Sequence, residues 1–158
     1  MTERSVTHHT FVIERTYQAS PSRVFAAWAD PAIKVHWFTG PEDWGLDKYD
    51  LDFRVGGKEH AVGRQPGGPV HTYEALYQDI VPEHRIVTTY EMYLDQTRIS
   101  VSLATVEFRP DGDTDTLLIL TEQGAYLDGH DYPAEREEGT RELLDELEKE
   151  LKRQAGNA

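Results

Sequence analysis

Cysteine is absent from this chain, which excludes a disulfide framework and a thiolate nucleophile. Long apolar runs are missing as well. The opening stretch, Met1-Thr2-Glu3-Arg4-Ser5-Val6-Thr7-His8-His9, holds none of signal-peptide length, and no later run approaches the length of a membrane span. Positive charge is scarce: 16 Lys and Arg face 29 Asp and Glu, leaving a formal charge of −13 that repels phosphate backbones and anionic lipid surfaces. Nucleic acid and membranes are therefore not expected partners, and the cytoplasm is the default location. There is no Gly-x-Ser-x-Gly elbow, no Walker loop and no Gly-x-Gly-x-x-Gly after a strand. Those absences favour a binding protein over an enzyme and imply no cofactor.

What remains is 158 residues, the size of one ordinary domain over residues 1–158, with sixteen aromatic residues (Trp 3, Tyr 8, Phe 5) that need somewhere to pack. Thr10 to Ala19 alternates as a half-buried strand. Ser20-Pro21 and Asp30-Pro31 each supply an N-cap followed by proline at the first helical position, predicting two short abutting helices, the second ending near His36 or Trp37. Six strands follow at about Leu46 to Val55, Lys58 to Arg64, Val70 to Val81, Arg85 to Leu94, Arg98 to Arg109 and Thr114 to Gly124. Turn-rich separators between them predict an antiparallel meander.

Two features single out a possible binding site. Paired glycines in Phe53-Arg54-Val55-Gly56-Gly57-Lys58 let the chain bend back, next to an aromatic cluster of Trp37, Phe38 and Trp44 around Gly40-Pro41. That combination fits the mouth of an apolar pocket. Beyond Gly129 the period changes: Gly139, Leu143 and Leu147, with Thr140, Leu144 and Leu151, line one face of a helix from about Pro133 to Arg153. Gly139 costs such a helix on the order of 1 kcal/mol relative to alanine. Its presence implies either close approach of the sheet or a cavity at that point.

Four segments carry a family resemblance: Ser20-Pro21-Ser22-Arg23-Val24-Phe25-Ala26-Ala27-Trp28, Trp37-Phe38-Thr39-Gly40-Pro41, Asp52-Phe53-Arg54-Val55-Gly56-Gly57 and Ile80-Val81-Pro82-Glu83-His84-Arg85-Ile86-Val87. In order and over roughly residues 10 to 153, they resemble the START/Bet v1-like (SRPBCC) superfamily, in its single-domain bacterial branch named after the activator of Hsp90 ATPase. The resemblance implies an α+β helix-grip fold: a curved antiparallel sheet of about seven strands, two short helices after strand 1, and a long C-terminal helix across the sheet. It also implies a hydrophobic cavity between sheet and helix, and so binding of a small hydrophobic or aromatic molecule. The eukaryotic co-chaperone of that name has a separate N-terminal domain for which this chain has no room. An Hsp90-type chaperone is therefore not the expected partner.

Side chains expected to face the cavity are Leu51, Phe53 and Val55; Ile86, Thr88, Tyr90 and Met92; and Ile99, Val101 and Leu103, together with Trp28, Trp37 and Phe38. The same residues would equally make a plain core. Polar candidates among them are His60, His71, Tyr73, Tyr90, Arg98 and Gln123, which a packed core would leave unpaired. His60 and His71, on neighbouring strands of a predicted hairpin, are the best acid/base candidates should this be a cyclase- or hydrolase-like enzyme. A third alternative is a protein-binding module, such as a chaperone accessory or a homodimer subunit.

Other patterns carry less. Asp52 and Arg54 share a solvated face and predict a cross-strand ion pair. Ser100 and Ser102 read as solvent-facing strand residues. Asp111-Gly112-Asp113-Thr114-Asp115 with Glu122 imitates a calcium loop but has Thr116 where glycine is required, and it falls in a hairpin. Neither His8-His9 nor Asp128-Gly129-His130-Asp131 completes a zinc ligand set, so no metal is expected.

Overall fold

The fold is that of a computed structural model, which describes residues 3–38 and 45–156. Strand β1 (Val6–Tyr17) is followed by helices α1 (Pro21–Ala29) and α2 (Pro31–Trp37). Six strands then run as β2 (Gly45–Leu51), β3 (Lys58–Arg64), β4 (His71–Val81), β5 (Arg85–Leu94), β6 (Thr97–Asp111) and β7 (Asp115–Leu127). Helix α3 (Pro133–Gly156) closes the chain. All strand pairs are antiparallel, in the order β1-β7-β6-β5-β4-β3-β2. This is the α+β helix-grip arrangement that the sequence motifs imply.

The short helices start as their caps dictate. Ser20 Oγ accepts from Arg23 N at 3.2 Å, and Asp30, which closes α1, accepts from Ala32 N at 2.9 Å to open α2. The glycine bend is real but begins earlier than the strand pattern suggests. β2 stops at Leu51, and residues 52–57 turn, with Gly56 at φ +84° and the Gly57 carbonyl accepting from Tyr77 N at 3.0 Å. A Cβ on Gly57 would stand 2.0 Å from the Asp52 carbonyl oxygen, so only glycine fits there. In consequence Val55 is exposed and Phe53 leaves the strand to pack edge-on to Phe25 and Tyr77, at 5.7 and 5.0 Å between ring centroids.

Bulges curve the sheet and change which side chains face inward. Between β5 and β6 the register passes from Met92↔Ser100 to Tyr93↔Arg98, leaving Ile99 as the extra residue. Ile99 and Ser100 therefore both turn inward, and the alternation beyond them is reversed. Ser102 is buried, while Val101 and Leu103 lie outside. The expected inward set on β6 is thus corrected after Ile99, and the serines expected in solvent are in the interior. A similar irregularity between Tyr77 and Asp79 of β4 brings Ile80 against the core.

Helix α3 is packed by leucines in its C-terminal half. Leu144, Leu147 and Leu151, spaced to share a face, pack into the core with Phe11, Ile13 and Tyr17 of β1 and with Val24 and Trp28 of α1. Tyr17 OH donates to the Leu144 carbonyl at 3.0 Å, and Arg23 Nη2 donates to the Leu151 carbonyl at 2.9 Å. The half of α3 from Pro133 to Leu143 has no such leucine pattern. There the sheet and the helix stand apart. No helix is long and apolar enough to cross a membrane among the described residues.

Candidate functional site

Between α3 and the inner face of the sheet lies a cavity of about 1260 Å³ whose lining follows α3 from Glu135 to Lys152. Its walls follow from the strand phases just described. β5 contributes Ile86, Thr88, Tyr90 and Met92 at alternating positions, and Ile99 comes from the bulge in β6. α2 supplies Lys34, Trp37 and Phe38 at one end, while Gly139 and Leu143 of α3 form the roof. A Cβ built on Gly139 meets nothing within 4 Å, so the glycine borders open space and not an approaching backbone.

Two polar clusters lie along this chamber. Under α2, Lys34 Nζ donates to Glu59 Oε1 at 2.8 Å, and the same carboxylate accepts from Tyr77 OH at 2.7 Å and from Tyr49 OH at 2.6 Å. Both charged side chains are almost wholly out of solvent, at 3% and 0% exposure. Burial pulls the Lys34 pKa below its ordinary value, against the attraction of Glu59. Lys34 Nζ also stands 4.2 Å from the Phe38 ring centroid and 5.4 Å from that of Trp28, a cation–π setting that partly replaces lost hydration.

At the other end Arg136 of α3 reaches down to the sheet. It donates to Tyr90 OH at 3.0 Å, Ser100 Oγ at 2.8 Å and Asp131 Oδ2 at 2.5 Å. Burial works against this guanidinium, but Tyr90, Asp131 and Glu122 outweigh it and raise its pKa. Glu122 of β7, 3% exposed, lines the same wall, and its Oε2 has no hydrogen-bond partner. Burial raises the Glu122 pKa, and the nearby Arg136 and Tyr90 only partly offset it. Ser102 Oγ and Tyr126 OH, on the same inner face, are also buried without partners. Buried polar atoms left unsatisfied cost about 1–3 kcal/mol each, and such groups concentrate where a guest or water completes them.

Of the residues singled out in the sequence, Trp28, Trp37, Phe38, His71, Tyr73, Tyr90, Gly139 and Leu143 come together around this cavity. Four others do not. Phe53 is packed in the core for the reason given above. His60 lies outside, 3.5 Å from Glu74, because Glu59 and Ala61 take the inward positions of β3. His71 sits opposite Gly63 on the inner side, so the two histidines are on opposite faces and form no pair. Arg98 bonds Glu91 at 2.9 Å on the outer face, beyond the bulge, and Gln123 points outward because Glu122 points in. Trp44 lies outside the described residues. Asp52 and Arg54 pair with each other at 2.9 Å and not across strands. Trp37 is nearly sealed, its Nε1 donating to the Ala27 carbonyl at 2.9 Å, so it is a wall more than an entrance.

Lys34, Glu59, Ser100, Glu122 and Arg136 escaped the sequence reading. Arg136 was legible in principle, since it falls three residues before Gly139 and seven before Leu143 on one helical face. Ser100 and Glu122 were not, because their orientation depends on the bulge and on the β6–β7 register. The arrangement offers hydrogen bonding and charge in a largely apolar, aromatic setting. Among the described residues no three His, Asp or Glu side chains converge in a way that could hold a metal ion.

A family model described as activator of Hsp90 ATPase homolog 1-like protein matches residues 18–152. A protein of known structure from Rhizobium leguminosarum is 45% identical, with 96% of this chain and 99% of that chain covered and a TM-score of 0.91. Another, from Rhizobium loti, is 48% identical over 92% of this chain and 99% of that chain, with a TM-score of 0.85. An AHSA1-like protein from Aeromonas hydrophila, 17% identical over 93% of this chain and 94% of that chain, matches with a TM-score of 0.68 and shows likeness of fold alone. No curated protein matches the chain.

Proposed function

The chain belongs to the activator of Hsp90 ATPase homolog 1-like family, and from that premise we propose that it binds a small, mainly apolar molecule between its curved sheet and α3. The observation that carries this reading is the cavity of about 1260 Å³. Ligand pockets run to roughly 300–1,000 Å³, whereas one water takes about 30 Å³ of liquid, so the space suits a guest of many atoms. Protein interiors are otherwise close-packed, and a gap of this size beside well-packed leucines is unlike core. Gly139 supports the same reading, since a helix interior tolerates glycine at a cost and here the missing side chain leaves room.

Affinity comes from apolar burial and orientation from the polar clusters. A guest burying about 300 Å² of apolar surface gains about 7 kcal/mol before ordering costs. Among the described residues His60 and His71 lie on opposite faces of the sheet, so the histidine acid/base pair that an enzymatic reading relies on does not form.

The neutral dye N-phenyl-1-naphthylamine tests the reading directly. Its emission is expected to rise and shift to the blue with the folded protein, and to fall when urea unfolds the chain or an apolar competitor is added. A folded protein that leaves the dye unchanged refutes an accessible apolar chamber. Native mass spectrometry of protein from its own cells would then name the guest's class through any retained molecule.

A further inference from the structure

The Arg136 end of the cavity brings two carboxyl groups, Asp131 and Glu122, to a single guanidinium. Asp131 and Arg136 neutralise each other across a 2.5 Å contact, and Lys34 at the far end is matched by Glu59. Glu122 is left as a second carboxylate on the Arg136 side, buried, facing the cavity, with Oε2 unbonded. His71, also on this side, is held towards its neutral form by burial and adds no positive charge here. Glu135 and Glu142 add further acid at the rim.

The walls here already accommodate a cation. The Arg136 Cζ stands 5.6 Å from the centroid of Tyr90 and 5.3 Å from that of Tyr126, and the Tyr73 ring lies 4.9 Å from Tyr90. Aromatic faces of this kind favour positive charge. An anionic ligand would meet Glu122 and Asp131. A neutral hydroxyl would give Glu122 a donor but no charge to favour its ionised form.

We propose that this end of the cavity receives the amino group of a small arylalkylamine, whose ammonium donates to Glu122 Oε2 while its apolar body lies against Ile86, Met92, Ile99 and Leu143. The assignment rests on the cavity reading of the preceding subsection. Burial keeps the Glu122 carboxyl inclined to its protonated form in the free protein, and an ammonium at hydrogen-bond distance would favour the ionised one.

Competition against N-phenyl-1-naphthylamine with 2-phenylethylamine, 2-phenylethanol and phenylacetate, three probes on one skeleton, separates the possibilities at pH 7. The amine is expected to displace the dye at a concentration at least ten-fold below the alcohol, with the carboxylate weakest. In Glu122→Gln, checked for folding by its own dye uptake, the amine's advantage should shrink to less than three-fold while the alcohol is unaffected. The wild-type ranking stands as a test even if that variant fails to fold. Equal potency of amine and alcohol, a preference for the carboxylate, or dye that none of the three displaces overturns the amine assignment and leaves the cavity reading intact. Failure of the dye itself to bind overturns both.

Discussion

In Glu59→Leu the carboxylate that accepts from Lys34, Tyr77 and Tyr49 gives way to an apolar group of similar size. With Lys34 only 3% exposed, water has no easy route to the stranded ammonium. Breaking a buried pair by removing one partner costs about 3–5 kcal/mol. Two phenol hydroxyls also lose their acceptor, but Lys34 can shed its proton, which burial already encourages, so the loss should centre at about 4 kcal/mol. At roughly 2–4 °C per kcal/mol for a chain of this size, the melting temperature should fall by about 8–16 °C. Lys34→Met is milder, at about 1–3 kcal/mol, because Glu59 keeps both tyrosine donors. The double variant removes both charges and should return to within about 2 kcal/mol of wild type. Urea and thermal melts followed by circular dichroism measure all three. A Glu59→Leu protein melting within about 2 °C of wild type, or a double variant worse than the two singles combined, would refute the argument that an unpaired buried charge dominates.

Gly139→Leu should stabilise the protein slightly, by about 0.7 kcal/mol of helix propensity, since its new side chain meets open space. The same change should weaken dye uptake several-fold, and unfolding on substitution would show that the roof is tightly packed. Glu122 binds its proton more tightly when folded than its ordinary value of 4.5 allows, so the native state holds more protons than the unfolded chain just above that pH. Its contribution to stability therefore falls as pH rises from 4.5 to the raised native value and is level beyond it, with Arg136, Tyr90 and Asp131 the groups that modulate it. Urea unfolding at a series of pH values should show that slope in wild type and not in Glu122→Gln; parallel curves would count against it. Gly57→Ala should cost about 3 kcal/mol, because the Asp52 carbonyl must move, whereas Gly56→Ala should cost about 1–2 kcal/mol from backbone conformation alone. Denaturant midpoints rank the two, and the reverse order would contradict the close approach at Gly57.

Individual residues show where the sequence was legible. Ser20-Pro21 and Asp30-Pro31 announce two helices because capping is local chemistry, satisfied within three residues. β3 and β5 were bounded correctly because glycine, proline and charged turns flank them. β6 was misread after Ile99 although its composition is ordinary. A single extra residue reverses every later side chain, and nothing in the local sequence distinguishes Ile99 as that residue. The same limit explains why Gln123 faces outward where the sequence pattern expects a pocket residue, and why Ser100 lies in the interior.

Apolar periodicity and turn chemistry by themselves determined the order of elements, the antiparallel meander and the placing of a long amphipathic helix at the end, since each depends on near neighbours in the chain. Tertiary structure alone decided that α3 is held by Leu144, Leu147 and Leu151 at one end and reaches the sheet through Arg136 at the other. It alone also set Glu122 beside Arg136 and Lys34 against Glu59. Those pairings join residues far apart in sequence through strand register and sheet curvature, and a pattern of residue types encodes neither.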